Sequence, residues 1–295
     1  MTAVLDAKAA QRRAILHAMD EGGFLAAIRG AGPALERVRA YLDAFDDPAP
    51  HADAARCPDY PLFPGLRSRP FWDASEFPGA SVLEANWQSV RDDWLALDPE
   101  TMTRYVPPTM QNTWRVHMLT YMGVDLEPLT QRCAGTHALV RELPGLCRGY
   151  PWADNVLSVH AAHSHLRPHC SVDTVRVRCH LGLSIPEDCA IRVGEETRGW
   201  QDGRTLLFDD SFEHETWNRG DGTRAILILD FWHPDLTGAE REALTAGFSH
   251  SKVRSQFAAQ RAPAAVPYPA ELLRFVEADM ERQDLAPGIR EYWAS

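Results

Sequence analysis

The spacing of apolar residues predicts helices at both ends of the chain. From Ala7 to about Asp47, apolar side chains recur at steps of three and four residues, which indicates two helices. The clearest apolar stripe consists of Leu35, Val38, Leu42 and Phe45. After Pro234 the helical pattern returns, first in Thr237 to Ala246 and again in Ala270 to Arg282.

Two further helices and a linker are predicted between these ends. Ser81-Val-Leu-Glu84 has the form of a capping box, in which a serine and a glutamate bond each other's backbone amides at a helix start. The positions that follow form one apolar face, which predicts packing against a sheet; they are Leu83, Trp87, Val90 and Trp94. Ala134 to Leu143 is also helical in pattern. Asp47 to Pro64 breaks the periodicity and predicts a linker that lies on the main body.

From Asn155 to Trp232 the pattern changes to short runs that alternate between apolar and polar residues. Turn signals such as Glu187-Asp188 and Asp202-Gly203 separate these runs, which predicts five or more strands. The stretch has no room for the helical crossovers that parallel strands require. The sequence therefore predicts an antiparallel barrel or jelly roll with flanking helices.

In the predicted strand Thr174 to Leu183, apolar residues alternate most regularly with cationic residues and histidine. Alternation places five apolar side chains from Val175 to Leu183 on one face and Arg176, Arg178 and His180 on the other. Three cationic or imidazole groups in a row favour a concave wall that binds a carboxylate. The alternative is a solvated outer face. Arg176 could hold a substrate carboxylate or lie at an exposed strand end.

The net charge and the cysteine content indicate which binding partners and which cellular compartment to expect. Thirty basic and 41 acidic residues give a formal charge of -11, which disfavours nucleic acid and anionic membranes as partners. An anion would therefore have to be held by local arginines. The sequence shows no signal peptide and no membrane span, and its six cysteines lack paired spacing. We expect a cytoplasmic protein with reduced thiols.

Two histidines are the candidate metal ligands. His169 directly precedes the cationic strand and His214 lies between two later β-like runs, positions at which a barrel rim can hold a metal. Two imidazoles with open coordination positions suit non-haem Fe(II). We expect His160, His163 and His165 to be hydrogen-bond donors near the ligands or surface groups, and Asp209 and Asp210 to shape the turn before His214; Cys170 is expected to be a packed thiol.

The motifs between Ser158 and Pro234 resemble those of the aspartyl/asparaginyl β-hydroxylase family of Fe(II)- and 2-oxoglutarate-dependent oxygenases, in order and spacing. They are His160-Ala-Ala-His-Ser-His-Leu-Arg-Pro-His169, Arg178-Cys-His-Leu-Gly-Leu-Ser-Ile-Pro186, Trp200-Gln-Asp-Gly203, Phe208-Asp-Asp-Ser-Phe-Glu-His-Glu215 and Trp232-His-Pro-Asp-Leu236. Phe63-Pro-Gly-Leu-Arg67 and Pro70-Phe-Trp-Asp73 are also similar to the family. The resemblance covers roughly two-thirds of the chain.

The resemblance implies a cupin-like double-stranded β-helix and a set of site residues. It divides the chain into an N-terminal helical segment with linker (1–60), an oxygenase domain (61–240) and a C-terminal helical extension (241–295). It implies His169 and His214 as iron ligands, with Arg178 also at the catalytic centre. The 2-oxoglutarate pocket would comprise Ser158, Arg178, His180 and Arg224.

The third iron-binding position differs from the usual pattern. Most such oxygenases carry an acid two residues after the first histidine, where this chain has Ser171. The acid is often missing in the resembling family, so water, Ser171 or another group would occupy that position. Asp173, four residues from His169, is expected to point elsewhere.

The activity implied by the resemblance is hydroxylation by an Fe(II)- and 2-oxoglutarate-dependent dioxygenase, with O2 as second cosubstrate. The expected target is the β-carbon of an aspartyl, asparaginyl or related unit, free, carrier-tethered or within a peptide. Three alternatives stay open: a halogenase with the same cofactors, a cupin-like module that binds a metal or carboxylate without catalysis, and a zinc hydrolase. Ser171 argues against the halogenase because its side chain fills space that a halide would need, and a hydrolase would usually show a third ligand.

Overall fold

Antiparallel strands form the centre of the chain. The computed structural model describes residues 2–47, 55–105, 109–125, 130–250 and 253–254. The strands are β1 (Phe71–Trp72), β2 (Thr103–Tyr105), β3 (Met110–Gln111), β4 (Trp114–Tyr121), β5 (Val124–Asp125), β6 (Asn155–His160), β7 (Ser164–His169), β8 (Arg176–Ser184), β9 (Cys189–Val193), β10 (Glu196–Gly199), β11 (Thr205–Phe208), β12 (His214–Asn218) and β13 (Arg224–Trp232).

These strands form two sheets that pack face to face. The larger sheet has the order β1-β11-β8-β13-β6-β4-β2, with β5 paired to β4, and the smaller has the order β10-β9-β12-β7-β3. Apolar residues of both sheets meet in one buried cluster, for example Phe208 of β11 and Ile191 of β9. This double-stranded β-helix, or jelly roll, confirms the predicted fold class.

Helices flank the two sheets. They are α1 (Thr2–Glu21), α2 (Phe24–Gly30), α3 (Glu36–Asp43), α4 (Pro78–Ala85), α5 (Trp87–Ala96), α6 (Ala134–Arg141) and α7 (Gly238–Phe248). The region predicted to hold two N-terminal helices holds three, because Gly23 adopts a φ of 75° and ends the first helix. The helix predicted from Ala270 to Arg282 lies outside the described residues.

The cationic strand β8 has the two faces that alternation predicts. Val177, Cys179 and Leu181 lie in a buried cluster with residues of α4 and α5, so this face is covered by helices. The opposite face, which carries Arg176 and His180, is turned toward the interior and is also buried. The alternative of a solvated outer face is therefore wrong, because the second sheet covers this side.

The predicted capping box at Ser81 is wrong. The helix begins earlier, at Pro78, so Ser81 lies within it and its hydroxyl donates to the Pro78 carbonyl. Glu84 instead accepts hydrogen bonds from the backbone and hydroxyl of Thr205 on β11. The glutamate thus joins α4 to the larger sheet.

The described part of the linker lies on the main body, as predicted. Arg56 forms a β-bridge with Phe212, and the amide of Tyr60 donates to the Val172 carbonyl at 2.8 Å. Cys57 and Cys170 form a disulfide. The prediction that all cysteines are reduced, and that Cys170 is a packed thiol, is therefore wrong for this pair, because the linker brings Cys57 beside the end of β7.

The predicted division at residues 60 and 240 stays a prediction. Helix α7 runs across residue 240, and its Leu244 shares a buried cluster with Val38 of α3 and Val116 of β4. No helix among the described residues combines the length and the apolar character needed to cross a membrane.

Candidate metal centre and anion pocket

The two predicted metal ligands are direct partners on neighbouring strands. His169 at the end of β7 pairs with His214 at the start of β12, and their ring centroids lie 4.2 Å apart. Opposite residues of an antiparallel pair project to the same face, so strand register brings the imidazoles together. His214 is 5% exposed, which places the pair at the inner side of the smaller sheet.

Backbone hydrogen bonds orient both imidazoles in the same way. Nδ1 of His169 bonds the Arg167 carbonyl at 2.8 Å, and Nδ1 of His214 bonds the Phe212 carbonyl at 2.9 Å. A carbonyl can only accept, so each Nδ1 carries the proton and each Nε2 has a free lone pair. Burial lowers the pKa of His169, and burial together with the neighbouring His169 lowers the pKa of His214 to about 3. Both rings are therefore neutral and suited to bind a metal.

The position two residues after His169 supplies no carboxylate. The Ser171 hydroxyl hydrogen-bonds Nη2 of Arg176. Asp173 points elsewhere, as predicted: its carboxylate accepts hydrogen bonds from the Tyr150 hydroxyl and the Val175 amide. Within the described residues no group of three or more histidine, cysteine, aspartate or glutamate side chains could hold a metal ion. Among the described residues, the candidate donor set is the pair His169 and His214.

The larger sheet presents an anion pocket to the interior, which we define by Ser158, His160, His180, Trp200 and Arg224. Arg224 is 2% exposed, forms no ion pair with a described residue, and has no hydrogen-bond partner there for Nε or Nη1. Its guanidinium lies 4.8 Å from the ring centroid of Trp200, whose indole donates to Nδ1 of His180. Burial lowers the pKa of Arg224 to about 10, so the side chain stays charged at neutral pH. A buried charge without a counter-ion favours an anionic ligand.

The anion pocket adjoins the histidine pair. The Phe208 ring lies 4.8 Å from the His180 ring and 5.8 Å from the His214 ring, centroid to centroid. Ser158 is fully buried and its hydroxyl accepts a hydrogen bond from the Trp114 indole. An anion held by Arg224 and Ser158 can therefore extend toward the two imidazoles.

Arg176 and Arg178 lie in a network of buried carboxylates. Arg176 contacts Asp210 at 3.1 Å and Asp230 at 3.0 Å, and Arg178 contacts Asp154 at 3.0 Å and Asp230 at 2.9 Å. The interpretation of Arg176 as a substrate-binding residue or an exposed strand end does not fit, because its side chain is 2% exposed and pairs with internal acids. Nε and Nη2 of Arg178 are also committed to carboxylates, which leaves Nη1 for a ligand.

The other histidines do not form a second metal site in the part of the chain that is described. His163 pairs with Asp221 and His165 with Glu215 at the surface of the smaller sheet. His160 is the exception. It is 1% exposed and lies inside the anion pocket, so of its two predicted roles, hydrogen-bond donor near the ligands or surface group, the second is wrong. Its position two residues after Ser158 on an alternating strand is the signal that could have placed it there.

Two acids before His214 also differ in role. Asp209 accepts a hydrogen bond from the Ser211 amide and so shapes the turn, as predicted. Asp210 bonds Arg176 through Oδ2, while its buried Oδ1 has no partner among the described residues. The negative charge of Asp210 raises the pKa of both candidate ligand imidazoles, against the larger lowering of the pKa by burial. Sequence reasoning missed this contact between Asp210 and the arginine network.

These features define a jelly-roll protein with a two-histidine site and a buried anion pocket. Residues 84–234 match the aspartyl/asparaginyl β-hydroxylase family. The chain belongs to this family.

Curated relatives are about one third identical to the chain over the aligned regions. It is 34% identical over 193 residues to human aspartyl/asparaginyl beta-hydroxylase, covering 62% of the chain and 25% of that protein. It is 31% identical over 198 residues to human aspartate beta-hydroxylase domain-containing protein 2, covering 63% and 53%. It is 32% identical over 184 residues to the ornithine lipid ester-linked acyl 2-hydroxylase of Rhizobium tropici, covering 57% and 62%. The chain thus spans less than two thirds of each of these proteins.

Proposed function

We propose that the protein is an Fe(II)- and 2-oxoglutarate-dependent dioxygenase that hydroxylates an unactivated carbon. The observation that carries the proposal is the pairing of two neutral imidazoles, both with Nε2 available, beside a buried arginine that has no ion pair with a described residue. Two histidines with open positions suit ferrous iron. A buried guanidinium with a hydroxyl beside it suits the far carboxylate of a 2-oxoacid.

Each part of the site has a defined task. When bound, iron with 2-oxoglutarate and O2 supplies the oxidising power for inserting oxygen into a C–H bond, with succinate and CO2 as co-products. His169 and His214 hold the metal, and their Nδ1 hydrogen bonds fix the rings. Arg224 and Ser158 hold the far carboxylate. Buried aromatic side chains such as Phe208 exclude water from the pocket.

The arginine network is proposed to maintain the shape and charge of the site. Asp210 bonds Arg176 through Oδ2 and places its negative charge near the histidine pair, and its unpartnered Oδ1 would be available to accept a hydrogen bond within the site. Nη1 of Arg178, which the bonds to Asp154 and Asp230 leave available, and the unpartnered Nε2 of His180 are proposed to bind the metal-side carboxylate of the cosubstrate or the substrate. Arg176 is proposed to hold Ser171 and Asp210 in place rather than to bind substrate.

The proposed target is the β-carbon of an aspartyl, asparaginyl or related amino-acid unit, because this is the reaction for which the family is named. The substrate of one relative does not define that of the chain, since another relative is named as an ornithine lipid ester-linked acyl 2-hydroxylase. Halogenation is less well supported because the Ser171 hydroxyl is bonded to Arg176 and stays at the position a halide would need.

Exchange of either ligand tests the proposal. His169→Ala and His214→Ala should each lower iron-dependent formation of succinate from 2-oxoglutarate at least about 100-fold, because one imidazole cannot hold the metal alone. Succinate is measured by mass spectrometry with and without aspartyl compounds. His17→Ala, which removes an exposed imidazole on α1, is the control and should keep full turnover. Full turnover in either ligand variant, or none in the wild type, would refute the proposed function.

A further inference from the structure

His160 is a buried histidine with two unsatisfied nitrogens. Its side chain is 1% exposed, and neither Nδ1 nor Nε2 has a hydrogen-bond partner among the described residues. Leaving a buried donor or acceptor unpaired costs about 1–3 kcal/mol, so native proteins rarely keep one without a reason. An imidazole with both nitrogens in this state indicates a ligand that completes it.

Strand register places His160 next to Arg224. The two residues are direct partners on β6 and β13, and His160 is also the partner of Trp114 on β4, with ring centroids 5.1 Å apart. The three side chains therefore form one row across the inner face of the larger sheet. Ser158 lies two residues earlier on the same strand and projects from the same face.

The charge around His160 selects an anion. Burial and the positive charge of Arg224 lower the pKa of His160 well below its usual value, so the ring is neutral and has one N–H to donate. Arg224 has two further unpartnered donor atoms, and the Ser158 hydroxyl, which accepts from the Trp114 indole, still has its own O–H to donate. A carboxylate can accept about four hydrogen bonds, which matches this set of donors.

We propose that His160 donates a hydrogen bond to the far carboxylate of 2-oxoglutarate, beside Arg224 and Ser158, and so selects dicarboxylic over monocarboxylic 2-oxoacids. This inference rests on the proposed function, because the ligand is its cosubstrate. His160 is a binding residue for that carboxylate only, since it lies on the larger sheet and the histidine pair lies on the smaller one.

Two 2-oxoacids of equal chain length separate this role from a structural one. Binding of 2-oxoglutarate and of 2-oxopentanoate, which lacks the far carboxylate, is measured by calorimetry on the anaerobic Fe(II)-loaded protein. His160→Leu should weaken 2-oxoglutarate about 10- to 100-fold, as expected for a hydrogen bond to a charged group, and leave 2-oxopentanoate unchanged. His160→Gln keeps an N–H donor and should recover most of the affinity.

The matched control for His160→Leu is the same substitution at His117. His117→Leu removes another buried imidazole, on β4, whose partner Leu157 belongs to the helix-facing side of the sheet; it should leave both affinities unchanged. Equal weakening of both oxoacids by His160→Leu, or no weakening of either, would overturn the inference even if the variant melts at a lower temperature. A wild-type protein that binds no 2-oxoglutarate would instead refute the proposed function, and this inference with it.

Discussion

At the residue scale, the backbone of their own strands orients the two candidate ligand imidazoles, His169 and His214. Each uses Nδ1 to bond the carbonyl two residues earlier, so a local contact fixes its tautomer and leaves Nε2 available. Burial then keeps both rings neutral by lowering the pKa of each. Protons should therefore compete with the metal only weakly at slightly acidic pH.

This arrangement predicts a nearly pH-independent metal affinity. Two ordinary imidazoles with a pKa near 6.5 would lose about 100-fold in affinity for Fe(II) between pH 7.5 and 5.5, because both must release a proton. With the pKa of His214 near 3 and that of His169 also lowered, we expect a loss of less than about tenfold. Anaerobic titration at the two pH values measures this. A 100-fold loss would show that the imidazoles titrate as they do in water.

The sequence predicts which side chains of β8 share a face but not which residues they bind. Alternation along β8 was enough to predict which side chains share a face, because it depends only on neighbouring residues. It could not predict that Arg178 would pair with Asp154 and Asp230, which lie 24 and 52 positions away. Those pairings depend on strand register and on the loop before β6. The sequence therefore could not show that the arginines bind internal carboxylates rather than a ligand.

At the element scale, Gly182 allows the backbone of β8 to lie in close contact with the turn between β10 and β11. A Cβ at this position would lie 2.2 Å from the carbonyl oxygen of Gln201, and a backbone atom cannot rotate away. The amide of Gly203 donates to the Gly182 carbonyl at 2.9 Å, which holds the two segments in contact. The glycine in the motif Arg178-Cys-His-Leu-Gly182 thus serves a close backbone approach.

Gly182→Ala is expected to destabilise the protein by about 2–3 kcal/mol, because the backbone must shift to admit the methyl group. Urea unfolding followed by circular dichroism measures the change in the free energy of unfolding. Gly199→Ala on β10 is the control, since a Cβ there would have its nearest neighbour at 3.6 Å. We expect the control to change stability by less than about 0.5 kcal/mol. Equal effects of the two substitutions would contradict the explanation.

The Cys57–Cys170 disulfide joins the linker to the strand that carries His169. The two residues are 113 positions apart, so the bond restricts a long loop of the unfolded chain. We expect reduction with dithiothreitol to lower the free energy of unfolding by about 2–4 kcal/mol. Cys57→Ser should show the lower stability with or without the reductant. If wild type and variant respond alike to dithiothreitol, the bond does not contribute in this way.

Helix ends show why local motifs can mislead. Ser81 and Glu84 have capping-box spacing, but Pro78 starts the helix one turn earlier and Glu84 binds Thr205 across to the sheet. Thr237 and Glu240 have the same spacing and form a real capping box at the start of α7. The sequence pattern is the same in both cases. Tertiary contacts decide between them, and these are not visible in a short sequence window.

At the scale of the whole molecule, the terminal helices and the jelly roll share one core. Val38 of α3, Val116 of β4, Ile226 of β13 and Leu244 of α7 belong to a single buried cluster. Helices that shared no apolar surface with the barrel could unfold separately from it. A shared cluster couples them, so we expect the described parts of the chain to unfold in one cooperative transition.

The ion pair between Arg37 and Glu240 tests whether two of these helices stabilise each other, because it joins α3 to α7. Nε and Nη2 of Arg37 donate to the two carboxylate oxygens of Glu240 at 2.7 and 2.6 Å, and Glu240 is 2% exposed. Arg37→Met would leave that carboxylate buried without a counter-ion, and we expect a loss of about 2–3 kcal/mol. Unfolding should still be a single transition when near- and far-ultraviolet circular dichroism are compared.

The double variant Arg37→Met/Glu240→Gln separates the ion pair from simple packing. Replacing the carboxylate by an amide removes the unpaired charge but keeps an oxygen for the Thr237 amide, so the double variant should be more stable than Arg37→Met alone. Arg141→Met, at a 3.8 Å exposed pair with Asp125, is the control and should have a smaller effect. Additive losses would show that Arg37 and Glu240 do not stabilise each other, and two separate unfolding transitions would show that the helices unfold independently of the barrel.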